Sequence, residues 1–244
     1  MKRWQTATFQ GIIIAVFTTV LAAVPAYCQH GMLGISGGLT SDRYGALTRY
    51  QDGVGIIDGR GIVWKSPDKV TGADIEVGGE VRIPSNTNTH AKEFSVFGGP
   101  AFRFGEHWSV GFHAQIHWFY QPPSINIPSG IIVGTTFYRP RMWILEPPGF
   151  VQYKFGADNH WFVRAEGGPE FSPHYKFTVA TAYPNPNLDH GYTVRGTVGR
   201  NFGSWYIKGS YETRYFKFRS NFGNPGNFYN WRSDMATAGV GVSF

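Results

Sequence analysis

Histidines and charged residues at even spacing are the side chains of this sequence that are best suited to chemistry. His113 and His117 stand four residues apart. In an extended strand that spacing places two side chains on one face about 13 Å apart, whereas a metal–histidine bond is about 2 Å long. The pair predicts two polar residues on one face, and we expect no metal and no cofactor. The other histidines considered fall in turns or loops without ligand spacing: His90, His107, His160, His174 and His190.

Charged residues also recur on one face of several segments, where they alternate with apolar residues. In a small barrel such a face fills the lumen, where opposite charges can pair, because charged side chains facing lipid are costly. The candidates for ion pairs in the lumen are Arg103, Lys154, Arg164, Glu166, Glu170, Arg195, Lys208, Glu212 and Arg214. Their excess of three positive charges favours anions if the lumen conducts ions.

The elements that carry these residues are predicted as antiparallel strands. Apolar and polar residues alternate over about ten residues, the length that lets a tilted strand cross a bilayer. The clearest example runs from Trp108 to Tyr120, with tryptophan, valine, phenylalanine and isoleucine on one face. The other segments lie near 31–40, 94–104, 147–155, 161–171, 190–202, 205–215 and 233–244.

A repeated turn joins these strands. An aromatic residue, a glycine, one to four polar residues and a tryptophan recur at 104–108, 155–161 and 202–205. Tight hairpins favour glycine because it adopts positive φ, and aromatic residues at strand ends suit the membrane–water interface. The predicted interface aromatics are Phe104, Trp108, Phe155, Trp161, Phe202, Trp205 and Phe244.

The lengths of the connections predict an eight-stranded transmembrane β-barrel of the all-β class. Short turns and both termini fall at one end, and long loops near 41–93, 121–146, 172–189 and 218–229 fall at the other. Residues 73–83 also alternate. With a partner near 55–64 they would give ten strands instead, because the strand number of such barrels is even.

The N-terminal 28 residues predict a cleaved signal peptide, followed by a barrel domain over 29–244. Lys2 and Arg3 precede an apolar run over 11–23, and Ala26 to Cys28 offers a cleavage site. The run is too short for a membrane helix, which needs about 20 residues. Lipidation of Cys28 is the other alternative, and the bulky Tyr27 disfavours it. Removal of Lys2 and Arg3 lowers the net charge from +6 to +4, a mild excess that predicts no nucleic-acid partner.

The alternating C-terminus ends on Phe244, and with the strands and turns it carries a family resemblance. The segments 97–103, 165–171, 194–199 and 239–244 are short and rich in glycine. They resemble outer-membrane β-barrel proteins of the opacity and small surface-antigen type. The resemblance implies an eight-stranded, largely plugged barrel with varied surface roles in the outer membrane of a Gram-negative bacterium. It also implies contact with outer-membrane lipid and lipopolysaccharide, and with the barrel-assembly machinery through Phe244. The long first loop departs from compact members.

Some small barrels are lipid A deacylases, and residues 214–221 look faintly similar to that active-site strand. There Lys217 occupies the place of the histidine base, and Ser220 is shifted by one residue. A protonated lysine is a poor base for activating serine, so we expect no enzyme and no catalytic residues.

Three functions stay open at this point. The preferred one is a non-enzymatic structural or adhesive protein whose long extracellular loops bind an unknown ligand. The aromatic segment from Tyr215 to Trp231 suits either such binding or the barrel rim. The second is a small pore that prefers anions, which ten strands would favour. The third is a lipid-modifying enzyme.

Overall fold

A computed structural model of the chain describes residues 30–44, 49–68, 70–86, 92–120, 139–178, 187–219 and 228–244. The predicted signal peptide over 1–28 lies outside these residues. The described residues form β1 (His30–Tyr44), β2 (Arg49–Lys65), β3 (Thr71–Pro84), β4 (Lys92–Phe104), β5 (Trp108–Phe112), β6 (Ala114–Tyr120), β7 (Arg139–Glu146), β8 (Gly149–Phe155), β9 (Trp161–Thr178), β10 (Asn187–Asn201), β11 (Trp205–Arg219) and β12 (Phe228–Ser243). A 3-10 turn spans Ala157–Asn159. Within the described ranges no helix is long and apolar enough to cross a membrane.

The strands close into one antiparallel barrel. Strands β1 to β4 and β9 to β12 each pair with the next along the chain, and β12 pairs with β1 from Met32 opposite Ser243 to Tyr44 opposite Trp231. Segments β5 and β6 together form one wall strand, because both pair with β4 in a single register. Segments β7 and β8 likewise form one wall strand beside β9. The barrel therefore has ten strands, and the predicted count of eight is wrong.

The two additional strands are β2 and β3, which pair from Val54 opposite Pro84 to Lys65 opposite Asp74. They occupy most of the segment 41–93 that was predicted as one long loop, and they confirm the ten-strand alternative. The preferred count of eight left β2 in a loop, because its outward positions hold four glycines while Val54 and Ile56 point inward and are buried. The inward face also carries the charged residues Asp58 and Arg60, so neither face of β2 is uniformly apolar. The outward glycines are Gly53, Gly55, Gly59 and Gly61.

The two ends of the barrel differ in their connections. Four short turns, at 66–70, 105–107, 156–160 and 202–204, lie at one end with the first and last described residues, and we call it the short-turn end. Gly105, Gly156 and Gly203 have φ of 66°, 84° and 80°, as the three repeated turns predict. The opposite end is the loop end. The strands there extend into the predicted loops, since β7 begins at Arg139, β9 ends at Thr178 and β12 begins at Phe228.

One wall strand is interrupted between β7 and β8 by Pro147 and Pro148. Proline has no N–H to donate to a β-ladder. The carbonyl of Pro148 still accepts a hydrogen bond from the backbone N–H of His113 at 2.9 Å. His113 separates β5 from β6 at the same level, and pairing on either side keeps one register. The interruption therefore leaves side-chain alternation unchanged.

Apolar side chains face outward around the barrel, and most charged side chains face inward. Leu39 and Ile35 are 68% and 62% exposed, whereas Glu212 and Arg214 are each 3% exposed. This confirms the orientation predicted from alternation. Glycines on inward positions make room for large neighbours. The hydroxyl of Tyr206 lies 2.3 Å from where a Cβ on Gly34 would stand, and its ring lies 2.5 Å from one on Gly241.

Candidate functional site: the barrel lumen

The candidate site is the lumen, because the inward positions of the wall strands bring the chemically active side chains together there. All nine residues predicted from alternation take inward positions. Eight of them form ion pairs with carboxylates or with arginine or lysine. Lys154 has no carboxylate within ion-pair distance among the described residues. The structure thus brings the predicted set together, with Lys154 at its edge near the short-turn end.

Many partners of these residues were not predicted. Arg60 and Arg82 join the network, as do six acids: Asp58, Asp74, Glu76, Glu80, Glu93 and Glu146. These additions remove the predicted excess of three positive charges. Four of the acids lie on β2 and β3, the strands that the eight-strand count placed in a loop. The alternation of residues 73–83 was the signal that could have placed Glu76, Glu80 and Arg82 in the lumen.

A central ion-pair layer, defined as Glu80, Arg82, Arg195 and Glu212, spans the middle of the lumen. Arg82 Nη1 and Nη2 lie 2.5 and 2.7 Å from the two carboxylate oxygens of Glu212. Arg195 contacts Glu212 at 2.5 Å and Glu80 at 3.2 Å, and Arg82 also pairs with Glu80. Because β3 is not a neighbour of β10 or β11, these contacts cross the barrel rather than follow its wall.

A second set of ion pairs lies on the short-turn side of this layer. Arg164 contacts Glu166 at 2.9 Å and Glu76 at 3.3 Å, and Arg60 contacts Glu76 at 2.9 Å. The guanidinium carbon of Arg164 lies 3.7 Å from the centre of the Phe150 ring. Lys208 Nζ donates to both Asp58 oxygens at 2.5 Å. Each arginine here has carboxylate partners from more than one strand.

A third set lies on the loop side of the central layer. Arg214 contacts Glu93 at 2.9 Å and Glu170 at 3.2 Å. His117 lies between two carboxylates, with Nδ1 2.5 Å from Glu93 and Nε2 2.9 Å from Glu146. Burying charges is costly unless they are paired and hydrogen-bonded. Each carboxylate of this set has an arginine or histidine partner within 3.2 Å.

An aromatic plug, defined as Phe119, Phe216 and Trp231, closes the loop side above these charges. Phe216 stacks on Trp231 with ring centres 4.8 Å apart, and Phe119 meets the edges of both rings at 6.3 and 5.8 Å. Phe216 and Ile144, which also takes an inward position, have no exposed surface. Among the described residues, the plug and the ion pairs occupy the loop half of the lumen.

The short-turn half of the lumen instead holds a cavity of about 560 Å³, which we call the short-turn cavity. Its lining extends from residues at the short turns to the central ion-pair layer. The inward residues that bound it include Ser109, Gln152, Phe162, Arg164, Thr197, Asn201 and Tyr206. The lumen is therefore a cup, open toward the short turns and closed in the middle.

The predicted interface aromatics lie at the short-turn end. Phe155 stacks on Trp161 at 6.2 Å and Phe202 on Trp205 at 4.2 Å, in each case across a turn. Phe104, Trp108 and Phe244 are 55%, 49% and 41% exposed. The seven residues thus form a band of rings near one end of the outer wall. Their role at a membrane interface stays a prediction.

The histidines considered for a metal are held by other contacts. His113 stacks on Phe97 and packs against Phe150, with ring centres 4.7 and 4.8 Å apart. Across the ranges that the structure describes, no group of three or more histidine, cysteine or acidic residues is arranged to hold a metal ion. Ser220, considered for catalysis, lies outside the described residues.

Comparisons with known proteins add three distant likenesses. The chain is similar to the attachment invasion locus protein Ail of Yersinia pestis, with 10% identity, a TM-score of 0.34 and coverage of 88% of this chain and 98% of that one. It is also similar to the outer membrane protein OprG of Pseudomonas aeruginosa, with 13% identity, a TM-score of 0.34 and coverage of 88% of this chain and 96% of that one. The third is the translocator domain of the autotransporter NalP of Neisseria meningitidis, with 10% identity, a TM-score of 0.38 and coverage of 98% of this chain and 96% of that one. TM-scores this low assign neither a fold nor a function to this chain. No protein-family model and no curated protein match it.

The fold and the lumen define a class on their own evidence. The described residues form a closed, ten-stranded antiparallel β-barrel with an apolar outer wall and an ionic interior.

Proposed function

We propose that the chain is a non-enzymatic outer-membrane barrel that conducts no ions and serves a structural or surface-binding role. Its apolar outer wall supports the location. If these large apolar side chains faced water, the fold would lose about 25 cal/mol of stabilisation for each Å² of apolar surface left unburied. In a membrane, lipid tails cover them. The predicted export signal and the terminal Phe244 suit passage through the periplasm and insertion by the barrel-assembly machinery.

The observation that carries the proposal is the central ion-pair layer. It joins β3 to β10 and β11 across the lumen through contacts of 2.5 to 3.2 Å, and the aromatic plug closes the path above it. An ion would have to separate paired guanidinium and carboxylate groups to pass this layer, and separating buried partners is costly. Ten strands make the barrel wider than the eight predicted, but the long side chains take up that width.

In this proposal the barrel is an anchor for the connections at the loop end, which would meet lipopolysaccharide and extracellular ligands. Three of those connections, between Tyr120 and Arg139, between Thr178 and Asn187, and between Arg219 and Phe228, lie outside the described residues. We also propose a relation to barrels of the opacity type, although this barrel has ten strands and that resemblance implies eight.

Planar-bilayer recording of the purified mature chain tests the proposal. We expect no steady current from the wild type. The quadruple variant Arg82→Ala, Arg195→Ala, Glu212→Ala and Phe216→Ala should conduct, which shows that the assay detects an opened lumen. Migration on a cold and a boiled gel confirms that each preparation is folded. Steady current from the wild type would refute the proposal and favour the alternative, a small pore.

The short-turn cavity is the observation that favours the small pore as the second candidate, because half of the lumen is already open. Enzymatic modification of lipid is tested separately, by mass spectrometry of lipid A from cells with and without the protein. We expect identical spectra.

A further inference from the structure

We infer that the short-turn cavity binds a small organic anion, held by its carboxylate or phosphate group between Lys65 and Lys154. The inference concerns the lumen and goes beyond the proposed role of the loops. A volume of about 560 Å³ lies in the range of roughly 300 to 1,000 Å³ that is typical of small-molecule sites. The cavity ends at the central ion-pair layer, so a ligand enters and leaves through the short-turn end.

The charges at the mouth of the cavity are unequally matched. Three cations, Lys65, Arg103 and Lys154, face one inward carboxylate, Asp74. Arg103 already occupies that carboxylate, with Nε 2.8 Å and Nη2 3.1 Å from its oxygens. Arg103 Nη2 also donates to the carbonyls of Ser66 and Asp68, at 3.2 and 2.8 Å. The arginine is therefore part of the wall, and it leaves the two lysines without an anion.

The lysines lie close enough to interact with each other and with Arg103. Lys65 Nζ donates to Nε2 of His30 at 3.3 Å, a contact that supplies no negative charge. Lys154 forms no ion pair among the described residues. Like charges that face one cavity repel each other, and an anion placed between them attracts both and offsets that repulsion. Lysine binds phosphate and carboxylate as a mobile point charge, so the two can close on groups of different shape.

Deeper in the cavity the lining offers hydrogen-bond donors but few unpaired carboxylates that could hold a cation. Arg164 is buried and lines the cavity, and its Nη2 has no hydrogen-bond partner. Ser109, Gln152 and Asn201 line the same space. The acids of this region, Asp58, Glu76 and Glu166, are each paired with arginine or lysine. A cationic ligand would meet the lysines first, whereas an anion with a polar body finds complementary groups along its length.

Isothermal titration calorimetry of the folded mature chain in detergent tests the inference. The probes are succinate, glycerol 3-phosphate and neutral glycerol. We expect saturable binding of at least one anion and none of glycerol. The double variant Lys65→Gln and Lys154→Gln should bind that anion at least about tenfold more weakly. Lys92→Gln is the matched control, since it removes the same charge at the loop end of β4, and it should bind as the wild type does.

The two anions separate the possible sources of the ligand. Binding of succinate alone identifies a carboxylate ligand, and binding of glycerol 3-phosphate alone identifies a phosphate ligand of the kind that lipid headgroups carry. Equal affinity in the wild type and the double variant, or no saturable binding of either anion, would overturn the inference. The conductance of the same preparation is read separately, so a barrel that conducts ions would refute the proposed function without deciding this one.

Discussion

The two halves of the lumen are built from the same alternating strands but reach opposite results. On the loop side the inward positions hold long acids, arginines and aromatic rings, such as Glu93, Arg214 and Phe216, which fill the space. On the short-turn side several hold serine, glutamine or asparagine, and a cavity remains. A barrel of fixed width is thus open or closed according to side-chain length at its inward positions.

The largest effect is expected from Glu212→Gln in the central ion-pair layer. The variant keeps the shape of the side chain but removes the charge that faces Arg82 and Arg195, at 2.5 Å from each. Removing one partner of a buried ion pair costs about 3 to 5 kcal/mol, because the other charge stays buried without compensation. The free energy of unfolding in urea, followed on a cold gel, measures the loss.

Two controls sharpen this test. Glu106→Gln, in the exposed turn 105–107, removes the same charge outside the lumen and should leave the free energy of unfolding unchanged. Adding Arg82→Gln to Glu212→Gln removes one of the stranded cations and should recover part of the loss. A Glu212→Gln protein as stable as the wild type would show that the layer does not hold the barrel together.

The second effect concerns the aromatic plug, where Phe216→Ala should lower the free energy of unfolding by about 3 kcal/mol. Phe216 has no exposed surface and packs on Trp231, so its removal leaves a hole that the neighbours cannot fill. Phe216→Leu retains most of the volume and should cost about 1 kcal/mol. We expect no steady current across planar bilayers with either variant, because the central ion-pair layer still closes the lumen. Steady current from Phe216→Ala would place the barrier in the plug instead.

The third effect is on the short-turn side, where Gly34→Ala should cost about 1 to 3 kcal/mol through overpacking. The added Cβ would lie 2.3 Å from the hydroxyl of Tyr206, whose side chain is buried. Tyr206→Phe removes that oxygen and should recover much of the loss in the double variant. Gly196→Ala is the matched control, since a Cβ there meets nothing within 4 Å. Equal unfolding midpoints for the two alanine variants would argue against the close contact.

The same contrast shows what the sequence could predict. The period of two reveals which residues face inward, so all nine lumen candidates were found from their positions in the segments. Three of the four short turns were found too, because each combines a glycine with flanking aromatics. The fourth, at 66–70, has Ser66, Pro67 and Asp68 in place of that pattern.

Partners across the lumen could not be predicted in this way. Arg82 and Glu212 are 130 residues apart, and only the closed barrel, with its strand count and register, brings them together. Strand β2 also hid the correct count, since outward glycines such as Gly55 and inward Ile56 weaken the usual alternation. Whether an inward side chain meets a partner or a cavity depends on the opposite wall, which local sequence does not contain.

The smallest effect is expected at the solvent-exposed margin of the short-turn end, from Asp68→Asn. Hydrogen bonds from the backbone N–H groups of Val70 and Thr71, and from the Thr71 hydroxyl, hold the pKa of Asp68 below its ordinary value. A carboxyl whose pKa is lowered in the folded state stabilises the fold above its unfolded pKa, roughly 4, and loses that contribution as pH falls through the lowered value. The difference in urea midpoint between wild type and Asp68→Asn should therefore be present at pH 6 and shrink toward pH 3. A difference that grows on acidification would show that this turn does not depend on the charged carboxylate.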